Sequence, residues 1–138
     1  MTEWLDRAEI SRRLPHGQSA VFLESIAIRG KRALSRAGKR NLSFFESIEF
    51  VVQSAGLLAR ANGVGHLGEI VLPGRIDISV ITEGLEDDLL DLACALRVDR
   101  AALGLAIVSA RVFRSRLPFY SAQLLVMPSK VLPAPTRQ

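Results

Sequence analysis

Between Leu42 and Asn62 the chain reads LSFFESIEFVVQSAGLLARAN, an apolar run with one carboxylate, Glu49, set in its interior. Ser43 followed three residues later by Glu46 is a capping box, in which two side chains satisfy the free amide hydrogens of a helix's first turn. Asn62-Gly63 supplies a C-terminal stop. The spacing therefore predicts a single helix from about Ser43 to Ala61. Nearly every side of that helix is apolar, and a helix of this kind has to be surrounded. The rest of the chain must provide the wrapping.

The flanking sequence is suited to do so. Residues 3 to 13 read as a short amphipathic helix, with Trp4, Leu5 and Ala8 on one side and Leu14-Pro15 as its stop. Ala20 to Arg29 is rich in strand formers, and Gly30-Lys31 turns it into a second run, Arg32 to Ala37, making a hairpin. Beyond the helix, a Gly-rich loop holding His66 leads into alternating segments. Arg75 to Thr82 sets Ile76, Ile78 and Val80 on one face, and Leu89 to Val98 sets Leu90, Leu92, Cys94 and Leu96 on one face. A turn at Asp99 to Ala102 precedes a third strand, Leu103 to Phe113, and Leu117-Pro118 precedes a fourth, Tyr120 to Met127. The expected fold class is α+β: a curved antiparallel sheet wrapped round one long central helix, its open side closed by a second copy. At 138 residues the chain is expected to form one domain over residues 1–128, with 129–138 as an extended, proline-bearing tail.

Composition narrows the function classes. The single Cys, Cys94, lies in an apolar alternating run and reads as a small hydrophobe. One Cys and two His cannot build a structural zinc site or a disulfide framework, which fits a reducing cytoplasm. The charged, amphipathic start has no signal-type stretch, and no window is long and apolar enough to cross a bilayer. A cytoplasmic protein without membrane contact is expected. A net charge of +4 favours acidic partners such as nucleic acid, a carrier protein or a phosphorylated cofactor. Scattered basic residues, an aromatic content of 6% and the lack of any zinc-finger, helix-turn-helix or RNP pattern argue against nucleic acid.

Glu49 carries the chemistry. On its helical face lie Phe45 at i−4, Val52 at i+3 and Gln53 at i+4. A carboxylate in apolar surroundings is suited to moving protons, so Glu49 is a candidate general acid/base. The alternative is a structural acid paired with one of the arginines.

Three segments then resemble the hotdog-fold 3-hydroxyacyl-carrier-protein dehydratases of fatty acid and polyketide synthesis. Leu14-Pro15-His16 followed by AVFLESIAIRGKRA is similar to that family's opening motif, first strand and turn. Glu49-Phe50-Val51-Val52-Gln53-Ser54-Ala55-Gly56 looks like its central-helix signature, and Asp88 to Met127 like its closing strands. The resemblance implies that Glu49 is the catalytic acid and Gln53 the glutamine that supports the site. It implies a dimer, no cofactor or metal, and removal of water from a 3-hydroxyacyl thioester carried by acyl carrier protein or coenzyme A. In such chemistry a His takes the C2 proton while the carboxyl group helps the hydroxyl leave.

The chain departs from the family at that His. Where the family has a Gly-His-Phe-Pro segment before the helix, this sequence has Ala37-Gly38-Lys39-Arg40-Asn41-Leu42-Ser43. His16 belongs to the opening motif, and His66 lies beyond the far end of the helix. Since the resemblance implies sites assembled from two subunits, a chain with the acid and without the His can supply half a site to a second hotdog subunit, identical or not. Two other readings stay open: a hotdog thioesterase in which Glu49 activates water, and a non-catalytic acyl-binding or scaffolding subunit. A basic patch of Arg29, Lys31, Arg32, Arg36, Lys39 and Arg40 is the expected contact for an acidic carrier, with Arg36, Lys39 and Arg40 nearest the helix. Arg111, Arg114 and Arg116 form a second basic cluster.

Overall fold

The structure is a computed structural model that describes residues 2–14, 21–38, 41–65, 69–80, 89 and 91–130; side chains of residues 69–72, 80, 129 and 130 lie outside the description. Its elements run β1 (Glu3–Asp6), α1 (Arg7–Arg13), β2 (Ser25–Arg29), β3 (Arg32–Arg36), α2 (Phe44–Ala61), β4 (Glu69–Val80), β5 (Leu92–Ala102), β6 (Leu105–Arg114) and β7 (Leu117–Lys130). Among the described residues the seven strands form one sheet in the order β1-β2-β3-β5-β6-β7-β4. Every neighbouring pair is antiparallel. Helix α2 lies across one face of this sheet and touches every strand from β2 to β7.

The long helix begins and ends as its sequence predicts. Ser43 Oγ accepts from the Glu46 amide at 3.2 Å and Glu46 Oε1 accepts from the Ser43 amide at 3.0 Å. Asn62 closes the far end, its amide hydrogen reaching the carbonyls of the last turn. The β2–β3 hairpin also forms around Gly30-Lys31, although the first strand starts at Ser25. Other boundaries differ from expectation. The helix expected over residues 3 to 13 is confined to Arg7–Arg13, because Glu3–Asp6 pairs with β2 and Asp6 caps the helix through a 2.9 Å bond from the Glu9 amide.

The turn expected at Asp99 to Ala102 lies instead at Leu103-Gly104. Asp99 is the extra residue of a bulge between Val98 and Arg100, so the strand bends there and continues. Pro118 likewise stands inside β7, next to a second bulge that leaves Phe119 unpaired opposite β6. That bulge turns two consecutive side chains, Phe119 and Tyr120, into the core. Strand β7 runs on through Pro128 to Lys130, so the first residues assigned to the tail are strand; 131–138 lie outside the described residues. So do residues 81–88 and Leu90, among them the end of the strand expected over Arg75 to Thr82 and one residue of that expected over Leu89 to Val98.

The core lies between sheet and helix. It takes Ile26 and Ile28 from β2, Leu92, Cys94, Leu96 and Val98 from β5, Val108 and Val112 from β6, and Leu124 and Val126 from β7. Cys94 is fully buried, and burial pushes its thiol far above the ordinary range, as suits a small hydrophobe. Three polar clamps fix the helix within this apolar setting. Ser54 Oγ donates to the Phe50 carbonyl at 2.8 Å, which leaves Ser35 Oγ of β3 as the donor in the buried 2.7 Å contact with Ser54. Ser47 Oγ donates to the Phe44 carbonyl at 2.6 Å and accepts from the Tyr120 hydroxyl of β7 at 2.9 Å. Gln53 Oε1 accepts from the Phe22 amide at 2.9 Å and so holds the segment before β2. Burial of unpaired polar groups would be costly, so these pairings constrain the helix more tightly than apolar contact does.

Candidate functional site

Helical geometry decides where Glu49 points. Ser47 and Ser54, seven residues apart, share the face clamped to the sheet, and Glu49 lies about 200° round from Ser47. On that far side the two halves of α2 differ. From Gln53 to Ala59 every residue is buried, and Gln53 is bonded to the Phe22 amide between the buried side chains of Val21 and Leu23. Arg60 Nη1 reaches the Arg13 carbonyl at 3.4 Å and joins the ends of the two helices. In the first half the cover is incomplete: Phe45 is 82% exposed, and Ile48, Glu49 and Val52 are half-buried.

Positions 45, 48, 49 and 52 form one stripe along the helix. Glu49 thus stands in the middle of a partly open apolar strip, half-buried rather than enclosed, where a carboxylate on a solvated helix face would have polar neighbours. On the sheet beside the helix, Ile76 and Ile78 of β4 turn toward the core side, in register with buried Leu124 and Ala122, and are themselves only part-buried. The opening is bounded at its start by an aromatic cluster. Phe44 packs edge-on to Tyr120 and Phe119, with centroids 5.4 and 6.4 Å away.

Of the residues expected to form a site, Glu49 and Gln53 therefore sit together, one turn apart. Gln53 is buried and bonded to backbone. Arg36 lies elsewhere: in β3 it alternates with Ser35, which faces the helix, so its side chain projects from the opposite face of the sheet, 3.9 Å from Asp91. Lys39, Arg40, His16 and His66 lie outside the described residues. Arg114 stacks over Phe119, 5.1 Å from its centroid. Sequence reasoning missed the Ser47–Tyr120 and Ser35–Ser54 clamps, although two serines seven residues apart on one apolar helical face are a legible sign of polar anchors. Among the described residues no group of His, Cys, Asp and Glu could hold a metal ion, and no helix is long and apolar enough to cross a membrane.

This arrangement of a helix laid across an antiparallel sheet recurs among solved structures. The dehydratase heterocomplex ApeI:P from Xenorhabdus doucetiae superposes with a TM-score of 0.71 at 11% identity, over 88% of this chain and 91% of that one. The fold is that of the hotdog proteins. A thioesterase from Haemophilus influenzae matches over 95% of both chains, with a TM-score of 0.65 and 8% identity. A hypothetical thioesterase with coenzyme A from Streptococcus pneumoniae matches 75% of this chain and 82% of that one, with a TM-score of 0.57 and 12% identity. At such identities the likeness is one of fold. No family model and no curated protein matches the sequence.

Proposed function

We propose that this chain is a dehydratase or dehydratase-like subunit acting on 3-hydroxyacyl thioesters borne by acyl carrier protein, with Glu49 as its acid. One observation carries the reading: Glu49, the one carboxylate of α2 beyond its first turn, stands in the half of the helix whose far side is partly open, flanked by Phe45, Ile48 and Val52. An acyl chain laid along that strip would bring its C3 hydroxyl to a carboxyl group. In the elimination a base takes the C2 proton, the C2–H electron pair becomes the C2–C3 double bond, and the C3 hydroxyl leaves with a proton from Glu49 as water. Conjugation with the thioester carbonyl favours the product.

The base is the missing piece, since the segment before α2 carries no His. A second hotdog subunit facing the open strip would supply it, so the chain contributes half of a site in a homo- or heterodimer. Gln53 holds the Val21–Leu23 segment against the helix and so fixes the wall behind Glu49. Arg36, with Lys39 and Arg40 shortly before α2 in sequence, is the proposed contact for the acidic carrier.

The thioesterases among the structural neighbours favour a second reading, in which Glu49 accepts a proton from water as it attacks the thioester carbonyl and the thiol leaves. Incubation with a 3-hydroxyacyl and a plain acyl thioester separates the two. Enoyl product, formed by the chain alone or together with a His-bearing hotdog partner, supports elimination, and free thiol supports hydrolysis. Glu49→Gln is expected to lower either activity by at least about a hundredfold, the usual worth of a general acid/base. Full activity in that variant would remove Glu49 from the chemistry.

A further inference from the structure

The face of the sheet opposite α2, from which Arg36 projects, carries a further pattern that the elimination at Glu49 does not use. Strand register sets Trp4, Ala27, Leu34 and Ala95 side by side across β1, β2, β3 and β5, and Arg111 of β6 ends the row. Trp4 is 71% exposed and Leu34 51% exposed, large values for apolar side chains in the middle of strands. Two residues along each strand, a parallel row brings Arg29, Arg32 and Arg97 directly opposite one another. Like charges placed opposite across strands destabilise a sheet. Asp99 bonds Arg97 at 2.7 Å, whereas Arg29, Arg32 and Arg111 have no carboxylate partner among the described residues. Arg32, Leu34, Ala95, Arg97, Ser109 and Arg111 line a trough of about 400 Å³ here.

We propose that this trough docks an acidic amphipathic helix of a partner protein, apolar side chains on the Trp4–Ala95 row and carboxylates on Arg29, Arg32 and Arg111. The dimensions fit. Four strands span about 14 Å, the length of a helical segment of about ten residues. The cation row lies about 7 Å from the apolar one, within reach of acids flanking a helix's apolar seam. Acidic side chains would relieve the repulsion along the cation row, whereas a second copy of this face would set arginine against arginine. This docking uses neither Glu49 nor the face on which it lies, although it shares Arg29 and Arg32 with the basic patch expected for an acidic carrier and lies on the same face as Arg36.

Trp4 is the only tryptophan and reports the event directly. The probe is a synthetic helical peptide of about sixteen residues, with leucines at i, i+4, i+7 and i+11 and glutamates on both flanks. Titrated into the full chain, it should shift Trp4 emission to the blue saturably. Affinity should fall at least about tenfold in the Arg32→Glu/Arg111→Glu double variant, and also when lysines replace the glutamates. It should fall again as salt rises from about 50 to 300 mM, as screening shortens. A circular dichroism melt of the double variant confirms that its fold is kept. No saturable shift, or equal affinity of the double variant, would overturn the proposal. So would anionic phosphatidylglycerol vesicles shifting Trp4 emission where the peptide does not.

Discussion

Burying a phenol and a thiol among hydrocarbons makes both report on the integrity of the fold. Tyr120 is the only tyrosine, and burial pushes its hydroxyl well above the ordinary value, an effect that its bond to Ser47 only partly offsets. In the unfolded chain the same phenol ionises near pH 10. Above that pH the unfolded state binds fewer protons than the native state, so stability falls as pH rises; below it the contribution is fully present. The phenolate absorbance should therefore not grow in gradually around pH 10. It should appear together with the loss of helical circular dichroism, and a phenolate signal from folded protein would contradict the buried position. Tyr120 also shows where sequence reading stopped at this scale. Its place in a strand was legible, whereas its partner Ser47 lies 73 positions away and is chosen by tertiary packing alone. Glu49 and Gln53, by contrast, were legible because their relation is one helical turn and needs no other element.

Turns govern how faithfully each element could be read. The capping box and the Asn62 stop act within four residues of chain, so α2 emerged within one residue of its observed bounds. The β5–β6 and β6–β7 boundaries did not, because the chain turns at residues whose type hides it. Leu103 adopts φ 57° and Gly104 φ 76°, while Ser115 and Arg116 adopt 49° and 69°. Both are two-residue connections that require left-handed backbone, which leucine, serine and arginine do not advertise. Meanwhile Asp99 and Pro118, which look like breaks, are accommodated at or beside bulges. It follows that Leu103, 98% exposed and in an unfavourable conformation, is improvable. Leu103→Asn should raise stability by about 1 kcal/mol, measured by urea unfolding, because asparagine tolerates the left-handed region and leucine loses no contact on removal. An unchanged midpoint would mean that the turn relaxes in solution.

At the scale of the whole molecule, the antiparallel sheet and its helix were foreseeable from one fact, that α2 is too apolar to lie exposed. What the sequence could not tell is that the cover is complete over only half of the helix's far side. Strand β4 ends the sheet with one edge unpaired among the described residues, and Phe45, Ile48, Val52, Ile76 and Ile78 remain part-exposed nearby. A second hotdog subunit would bury these groups, so the chain should sediment as a dimer or with a hotdog partner. Phe45→Asp should shift it toward monomer without unfolding α2, since the residue lies outside the core. A wild-type monomer that turns over substrate alone would refute the shared-site arrangement. The three clamps then acquire a further meaning. Greasy contacts tolerate rolling, and a cylinder held by oil alone could rotate its acid out of reach. Hydroxyls and an amide keyed into fixed partners work like splines on a shaft, so the bearing of position 49 is set by side chains on other faces of the helix.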